Sequence, residues 1–199
     1  MTRSIKAITA AAALAAVALA TGIGAALASG DDDDERSERR TAVATIHDAT
    51  GQRVGVAFFR ERQGEVAVTG AVRGLAPGFH GFHVHAVGEC VAPFTSAGGH
   101  FNPTGRDHGD HAGDLPSLLV NEDESGELHF STDRFSLSDL LDADGSALMV
   151  HAGRDNYANI PNRYIQEATG TPGPDAATLA TGDAGDRAAC GVIEGSWRG

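Results

Sequence analysis

The chain is predicted to be all-β, an antiparallel sandwich or barrel, and three observations predict it. Short runs of β-type residues recur between turn signals from residue 41 onward. Helical periodicity is scarce. Two long segments, 86–115 and 153–189, carry no strand pattern and read as ordered loops, which in a compact domain are usually functional.

The elements follow in order. Thr41 to His47 alternates loosely and is turned by Asp48-Ala49-Thr50-Gly51. Arg53 to Glu61 carries Val54, Val56, Phe58 and Phe59, and Arg62-Gln63-Gly64 turns it back. Glu65 to Gly70 places Val66 and Val68 on one face. Leu75-Ala76-Pro77-Gly78 breaks the chain before a strand that holds His83 and His85. Later strands are read at Ser117 to Val120, Glu127 to Ser131, Ala147 to His151 and Cys190 to Glu194, with a polar hairpin turn over Asn121 to Gly126. One helical turn is read at Ser136 to Leu141, where Ser136 serves as the cap.

The first 28 residues read as a secretory signal peptide: Arg3 and Lys6, then an alanine-rich apolar run ending in Ala26-Leu27-Ala28. The alternative is a retained membrane anchor, since the run is just long enough to span, although Thr21, Gly22 and Gly24 interrupt it. Residues 29–40 hold no apolar side chain and read as an acidic disordered linker. Residues 41–199 then form one domain of ordinary size. The formal charge of the whole chain is −12, and losing Arg3 and Lys6 makes the remainder more negative still. Such a balance argues against nucleic acid or an anionic membrane as partner. In an exported chain the two cysteines, Cys90 and Cys190, read as a disulfide; the alternative is two buried free thiols.

The chemistry is concentrated in histidine. His83 and His85 lie two apart in a β-like run, so both rings point to one face of a strand. His100, His108, His111 and Asp114 fall in the first long loop, and His151 ends a later strand. Imidazole-rich sites favour copper and zinc over calcium or magnesium. His47 and His129 sit in strands away from this group and read as surface residues.

Taken in order, several pieces resemble the secreted bacterial copper/zinc superoxide dismutases. They are Gly-Phe-His-Val-His (81–85), Ser-Ala-Gly-Gly-His-Phe-Asn-Pro (96–103), Gly-Asp-Leu (113–115), Val-His-Ala-Gly (150–153) and Gly-Asp-Ala-Gly-Asp-Arg-Ala-Ala-Cys-Gly-Val-Ile (182–193). Residues 155–161 and 171–175 further resemble the actinobacterial branch. The family is a general example of the Greek-key, immunoglobulin-like sandwich and of electrostatic steering, so the resemblance implies both, together with two long functional loops.

The resemblance implies His83, His85, His100 and His151 as copper ligands, and His100, His108, His111 and Asp114 as zinc ligands, with His100 bridging the two ions. It implies Asp155 as the carboxylate that orients one histidine of each set. Arg187 is implied beside copper, where it attracts and orients superoxide, and a Cys90–Cys190 bridge would tie its segment to the metal loop. His80 is implied to be structural. The implied reaction converts superoxide to oxygen and hydrogen peroxide by alternate reduction and oxidation of the histidine-bound copper, with His100 delivering a proton. One departure stands out: only Gly109 and Asp110 separate His108 from His111, where zinc-binding relatives have a longer segment. The rival is a copper- or zinc-binding or copper-delivery protein on the same fold. Expected beyond this are an exported location, extracellular or at the cell envelope; no membrane span after cleavage; and a monomer or homodimer.

Overall fold

The computed structural model describes residues 40–196. The signal peptide and nearly all of the acidic linker read from the sequence lie outside the described residues.

Nine strands run in the order β1 (Arg40–Asp48), β2 (Arg53–Arg62), β3 (Glu65–Arg73), β4 (Gly78–His80), β5 (Phe82–His85), β6 (Leu118–Val120), β7 (Ser125–Thr132), β8 (Ala147–His151) and β9 (Arg187–Ser196). Seven form one antiparallel sheet in the order β5-β8-β9-β1-β2-β3-β7, and β4 pairs with β6 in a two-stranded ribbon. The chain passes from β3, near one edge, to β5 at the other, and from β7 at the first edge back to β8 beside β5. Such long returns between antiparallel strands are Greek-key connections.

Side chains from both ends of the sheet meet in one core. Val66 and Val68 of β3 and Phe82 and Val84 of β5 belong to a single buried cluster with Ala44, Ile46, Phe59, Leu118 and Leu148. A flat seven-stranded sheet would hold its edge strands far apart, so the sheet curls around this core. The alternation of β3 is the plainest case: Val66, Val68 and Val72 point inward while Glu65, Thr69 and Arg73 are exposed.

Strand β5 is the exception to one-sided burial. Phe82 and Val84 enter the core, and His83 and His85, on the opposite face, are equally buried. Strand β8 repeats the arrangement: Leu148 and Val150 face the core, and Ala147, Met149 and His151 face away from it. The first long loop covers this outer face. There Phe94 and Ala97 pack on Ala147, Met149 and Cys190. The disulfide Cys90–Cys190 fastens that loop to β9, closing a sequence separation of 100 residues.

The structure departs from the sequence reading chiefly in three places. Gly78–His80 is a strand, because its backbone finds a partner in Leu118–Val120, a pairing with no local signature. Strand β9 begins at Arg187, three residues before the expected start, because the ladder with β8 continues to the pair His151–Arg187 across a register shift. Arg187 is therefore held by a sheet. The second loop contains a short helix, α2 (Ala176–Thr181), which adds to the expected α1 (Leu137–Leu140) between β7 and β8. Helix α2 has a readable start and stop: the Asp175 carboxylate accepts from the Thr178 N–H, and Gly182 takes the left-handed conformation at the end. The Ser136 cap of α1 is paired with Asp139 in a reciprocal capping box.

Replacing Cys90 and Cys190 with serine releases the loop from β9. Chain-entropy reasoning for so long a closed loop predicts a loss of about 2–5 kcal/mol in unfolding free energy, measurable by denaturant titration. A loss below about 1 kcal/mol would show that core packing alone fastens the loop.

Candidate metal centre

Three elements bring the histidines together. Strand β5 presents His83 and His85, β8 presents His151 beside them, and the first loop folds back so that His100 forms a bridge-type backbone pair with His85, and Asp114 with His83. The ligand-type atoms of His83, His85, His100 and His151 all lie within 4.8 Å of one another. So do those of His100, His108, His111 and Asp114. His100 belongs to both sets, and its ring centroid lies 4.1 Å from that of His83 and 5.0 Å from that of His108.

The outward nitrogens of four of these rings have fixed partners. His83 Nε2 donates to Asp155 Oδ2 at 2.7 Å, and His108 Nε2 donates to Asp155 Oδ1 at 2.7 Å. His85 Nδ1 donates to the Gly98 carbonyl at 3.0 Å, and His151 Nδ1 to the Gly185 carbonyl at 3.1 Å. A carbonyl or carboxylate only accepts, so these bonds place a proton on the outer nitrogen and direct a lone pair inward.

The inward nitrogens have no such partners. His83 Nδ1 is buried without a hydrogen bond. His85 Nε2 and His151 Nε2 face each other at 3.4 Å, each presenting a lone pair. Burial is the main cause that pushes His83 and His151 down to about 4 and His85 down to about 2; His100, His83, His151 and Arg187 add to it from different sides. At neutral pH no proton sits between these rings to join them. A buried acceptor without a donor costs about 1–3 kcal/mol. A cation accepting all four lone pairs removes that cost, and a four-imidazole set suits copper(II).

The second set is built around Asp114. Its Oδ2 accepts the backbone N–H groups of Gly109 at 2.7 Å and His111 at 3.0 Å. Its Oδ1 lies 2.9 Å from His100 Nδ1 and 3.2 Å from both His108 Nδ1 and His111 Nδ1. His100 Nδ1 is also 3.2 Å from His111 Nδ1, whereas His108 Nδ1 has no aligned hydrogen bond. Burial opposes charge on His108, but Asp114 and Asp155 outweigh it and raise the ring to about 9. A proton thus holds the place a dication would take, and metal entry must release it. Three imidazoles and one carboxylate converging on a point suit tetrahedral zinc. The two-residue gap between His108 and His111 does not prevent this convergence, because Gly109 at φ +92° turns the chain sharply.

Gly182 makes room for the link between the two sets. A Cβ there would collide with Asp155 Oδ1 and His108 Nε2. Asp155 also accepts from the Tyr157 N–H at 2.7 Å, and the Tyr157 ring stacks on His108 with centroids 6.3 Å apart. Arg187 donates to the Phe94 carbonyl and, at 2.6 Å, to the Gly98 carbonyl, the same oxygen that receives His85 Nδ1. Arg187 and the His85 ring are therefore held on one atom.

His80 lies outside both sets and bridges carbonyls: Nδ1 is 2.7 Å from His151 O and Nε2 is 2.8 Å from Ala76 O. His129 bonds Thr69 Oγ1 at 2.9 Å. His47 lines a cleft of about 690 Å³ with Cys90, Phe94 and Cys190, and that cleft touches none of the clustered histidines. A smaller open cavity of about 400 Å³ does reach His100 and His111, between Arg106 and the α2 residues Ala176, Leu179 and Ala180. Gly182, Tyr157 and Arg134, which contacts the 108–111 turn, were not singled out by sequence reasoning. Of the three only Gly182 has a signal, as the stop of a helix.

Comparison with known proteins agrees with this geometry. The profile of the family described as copper/zinc superoxide dismutase (SODC) matches residues 53–193. The chain is 46% identical over 180 residues to "Superoxide dismutase [Cu-Zn]" of Mycobacterium tuberculosis, covering 83% of this chain and 74% of that one. It is 46% identical over 157 residues to the protein of the same name in Mycolicibacterium paratuberculosis, covering 72% and 69% of the two chains. Among solved structures, a double mutant of a superoxide-dismutase-like protein from Bacillus subtilis superposes with a TM-score of 0.62 at 32% identity, over 75% of this chain and 95% of that one.

The shifted rings give the metal-free protein two stability limbs. His83, His85 and His151 have folded values below their ordinary 6.5, so the unfolded chain binds more protons as pH falls through 6.5 towards 4, and stability drops there. His108 is raised, so its contribution is complete below 6.5 and is lost as pH rises through about 9. Thermal unfolding of the metal-free protein across this range is expected to show both limbs, and metal loading to flatten them; a profile flat without metal would contradict these shifts.

Proposed function

This chain belongs to the copper/zinc superoxide dismutase family, and from that we propose that its copper is held by His83, His85, His100 and His151 and its zinc by His100, His108, His111 and Asp114. It is a superoxide dismutase, a copper- and zinc-dependent enzyme whose substrate is superoxide. Two superoxide anions and two protons give one oxygen and one hydrogen peroxide, and copper, when bound, supplies the one-electron exchange. The observation that carries the ligand reading is the convergence of the two ligand sets on His100, with the outer nitrogens of His83, His85, His151 and His108 already bonded elsewhere.

The chain's own residues have distinct parts in this reading. His100 joins the two ligand sets; with Nδ1 against Asp114, its Nε2 would be the nitrogen that, once released from the copper side, carries a proton to peroxide. Asp155 keeps the outer protons of His83 and His108 in place, which orients one ring of each set. Arg187 supplies positive charge beside the copper-side rings. Its role is needed because the whole chain carries −12 and the substrate is an anion. Local potential must outweigh the global field, as in steered sites generally, for which this family is a standard example.

We further assign residues 1–28 to a secretory signal, 29–40 to an acidic linker and 41–199 to the catalytic domain, with the protein exported and acting as a monomer or homodimer. The Cys90–Cys190 disulfide supports an oxidising compartment. No helix among the described residues is long and apolar enough to cross a membrane.

Metal analysis paired with an assay before and after chelation tests the ligand reading. Protein as purified is expected to hold copper and to remove superoxide; chelation should abolish removal and copper should restore it. His85→Ala is expected to lower copper affinity and activity by at least about 100-fold, and copper-loaded His85→Ala with full activity would reject the assignment. Arg187→Ala is expected to lower kcat/KM about tenfold or more and to flatten its dependence on ionic strength. An unchanged rate at low salt in pulse radiolysis would remove Arg187 from the encounter.

A further inference from the structure

We propose that Arg134 is a positioning residue for zinc: it holds the 108–111 turn shut from outside, so that His108 and His111 are aimed at Asp114 before the ion arrives. This rests on the reading that His100, His108, His111 and Asp114 are the zinc ligands.

The turn is unusually short for a pair of ligands, with two residues between the histidines. Its peptide groups are tied from opposite sides. Inside, Asp114 Oδ2 accepts the N–H groups of Gly109 and His111. Outside, Arg134 donates from one terminal nitrogen to the carbonyls of the same two residues, Gly109 at 3.2 Å and His111 at 3.1 Å. A terminal guanidinium nitrogen carries two hydrogens, enough for one bond to each carbonyl. The third wall is the Tyr157 carbonyl, which lies 2.8 Å from where a Cβ on Gly109 would sit.

Without Arg134 the Gly109 carbonyl would turn to water, and the His111 carbonyl would keep only the Asp114 N–H at 3.2 Å. His108 stays tied through the Leu179 carbonyl and Asp155, so the loosened half of the turn is Gly109 to His111, and His111 loses its fixed aim relative to His108. Arg134 also approaches Asp110, with 4.0 Å between Nη2 and Oδ1. Both side chains are well exposed and the separation is long, so that ion pair contributes little. The effect belongs to the carbonyl bonds. Lysine, a point donor on a flexible stem, reproduces the charge without the planar geometry.

The test uses the full chain with copper in place, comparing wild type, Arg134→Ala, Arg134→Lys and Asp110→Asn. Zinc affinity is read by competition with a chromogenic chelator, and ligand geometry by the visible absorption of cobalt(II) in the zinc position. Loss of a group that orients metal ligands typically weakens binding about 10–100-fold, and Arg134→Ala is expected in that range, with weakened cobalt bands. Arg134→Lys should fall between it and wild type, and Asp110→Asn should match wild type. The proposal is overturned if Arg134→Ala binds zinc within about twofold of wild type with unchanged cobalt bands. It is equally overturned if Asp110→Asn reproduces the full loss, since the ion pair would then be the cause. Wild type that takes up neither zinc nor cobalt rejects the ligand reading itself, and this inference with it.

Discussion

The site depends on one constraint: buried imidazoles whose outer nitrogens are already bonded must direct lone pairs at one another. Asp155, the Gly98 carbonyl and the Gly185 carbonyl each accept a hydrogen bond from a ring N–H, leaving the opposite nitrogen of His83, His85 and His151 bare. His85 and His151 then face each other at 3.4 Å with nothing to share. In water such repulsion would be relieved by rotation or protonation. Here burial penalises the imidazolium and packing blocks the rotation, so a metal ion is the remaining way to satisfy the donors.

The fold creates that constraint by burying β5 on both faces. Its Phe82 and Val84 are committed to the core of the curled sheet, which fixes the strand's register and forces His83 and His85 outward. The outward face would be solvated if the sheet stood alone. The first long loop covers it, fastened by Phe94 and Ala97 on Met149 and by the disulfide to β9. The second loop contributes Asp155, held by the Tyr157 N–H and given space by the absence of a side chain at Gly182. Apolar packing on one side of a strand thus sets the rigidity of a polar site on the other.

Electrostatics divides the two ligand sets. In the first set, burial above all keeps His83, His85 and His151 unprotonated at neutral pH, and Arg187 beside His85 and His151 adds to it. The zinc-side rings surround Asp114, whose burial favours the neutral acid but whose histidine neighbours hold it well below the usual carboxylate range. A carboxylate among three imidazoles compensates the charge of a divalent ion and suits a structural site. Asp155 spans the two and so couples their ring orientations through one side chain. Arg187 and His85 are coupled in the same way through the Gly98 carbonyl. A shift in the loop that moved Gly98 would displace His85 and Arg187 together.

Much of this was legible in the chain. Alternation in β1 to β3 and the turn residues between them specify antiparallel strands, and His83-Val84-His85 places two rings on one face because side chains alternate along a strand. The order of the histidine motifs pointed to both ligand sets and to Asp155 and Arg187. Other features depend on partners distant in sequence and carry no local pattern. Gly78–His80 became a strand only because Leu118–Val120 lies beside it, and Arg187 joined a strand because the ladder opposite His151 continued. Arg134 reads as an ordinary arginine in a polar turn; its two carbonyl bonds exist because folding brings that turn against residues 109 and 111. Residue type and spacing determine which atoms can bind a metal, since ligand chemistry is local. Whether those atoms converge, and what holds them there, is decided by tertiary contacts, because hydrogen-bond geometry depends on which distant backbone arrives alongside.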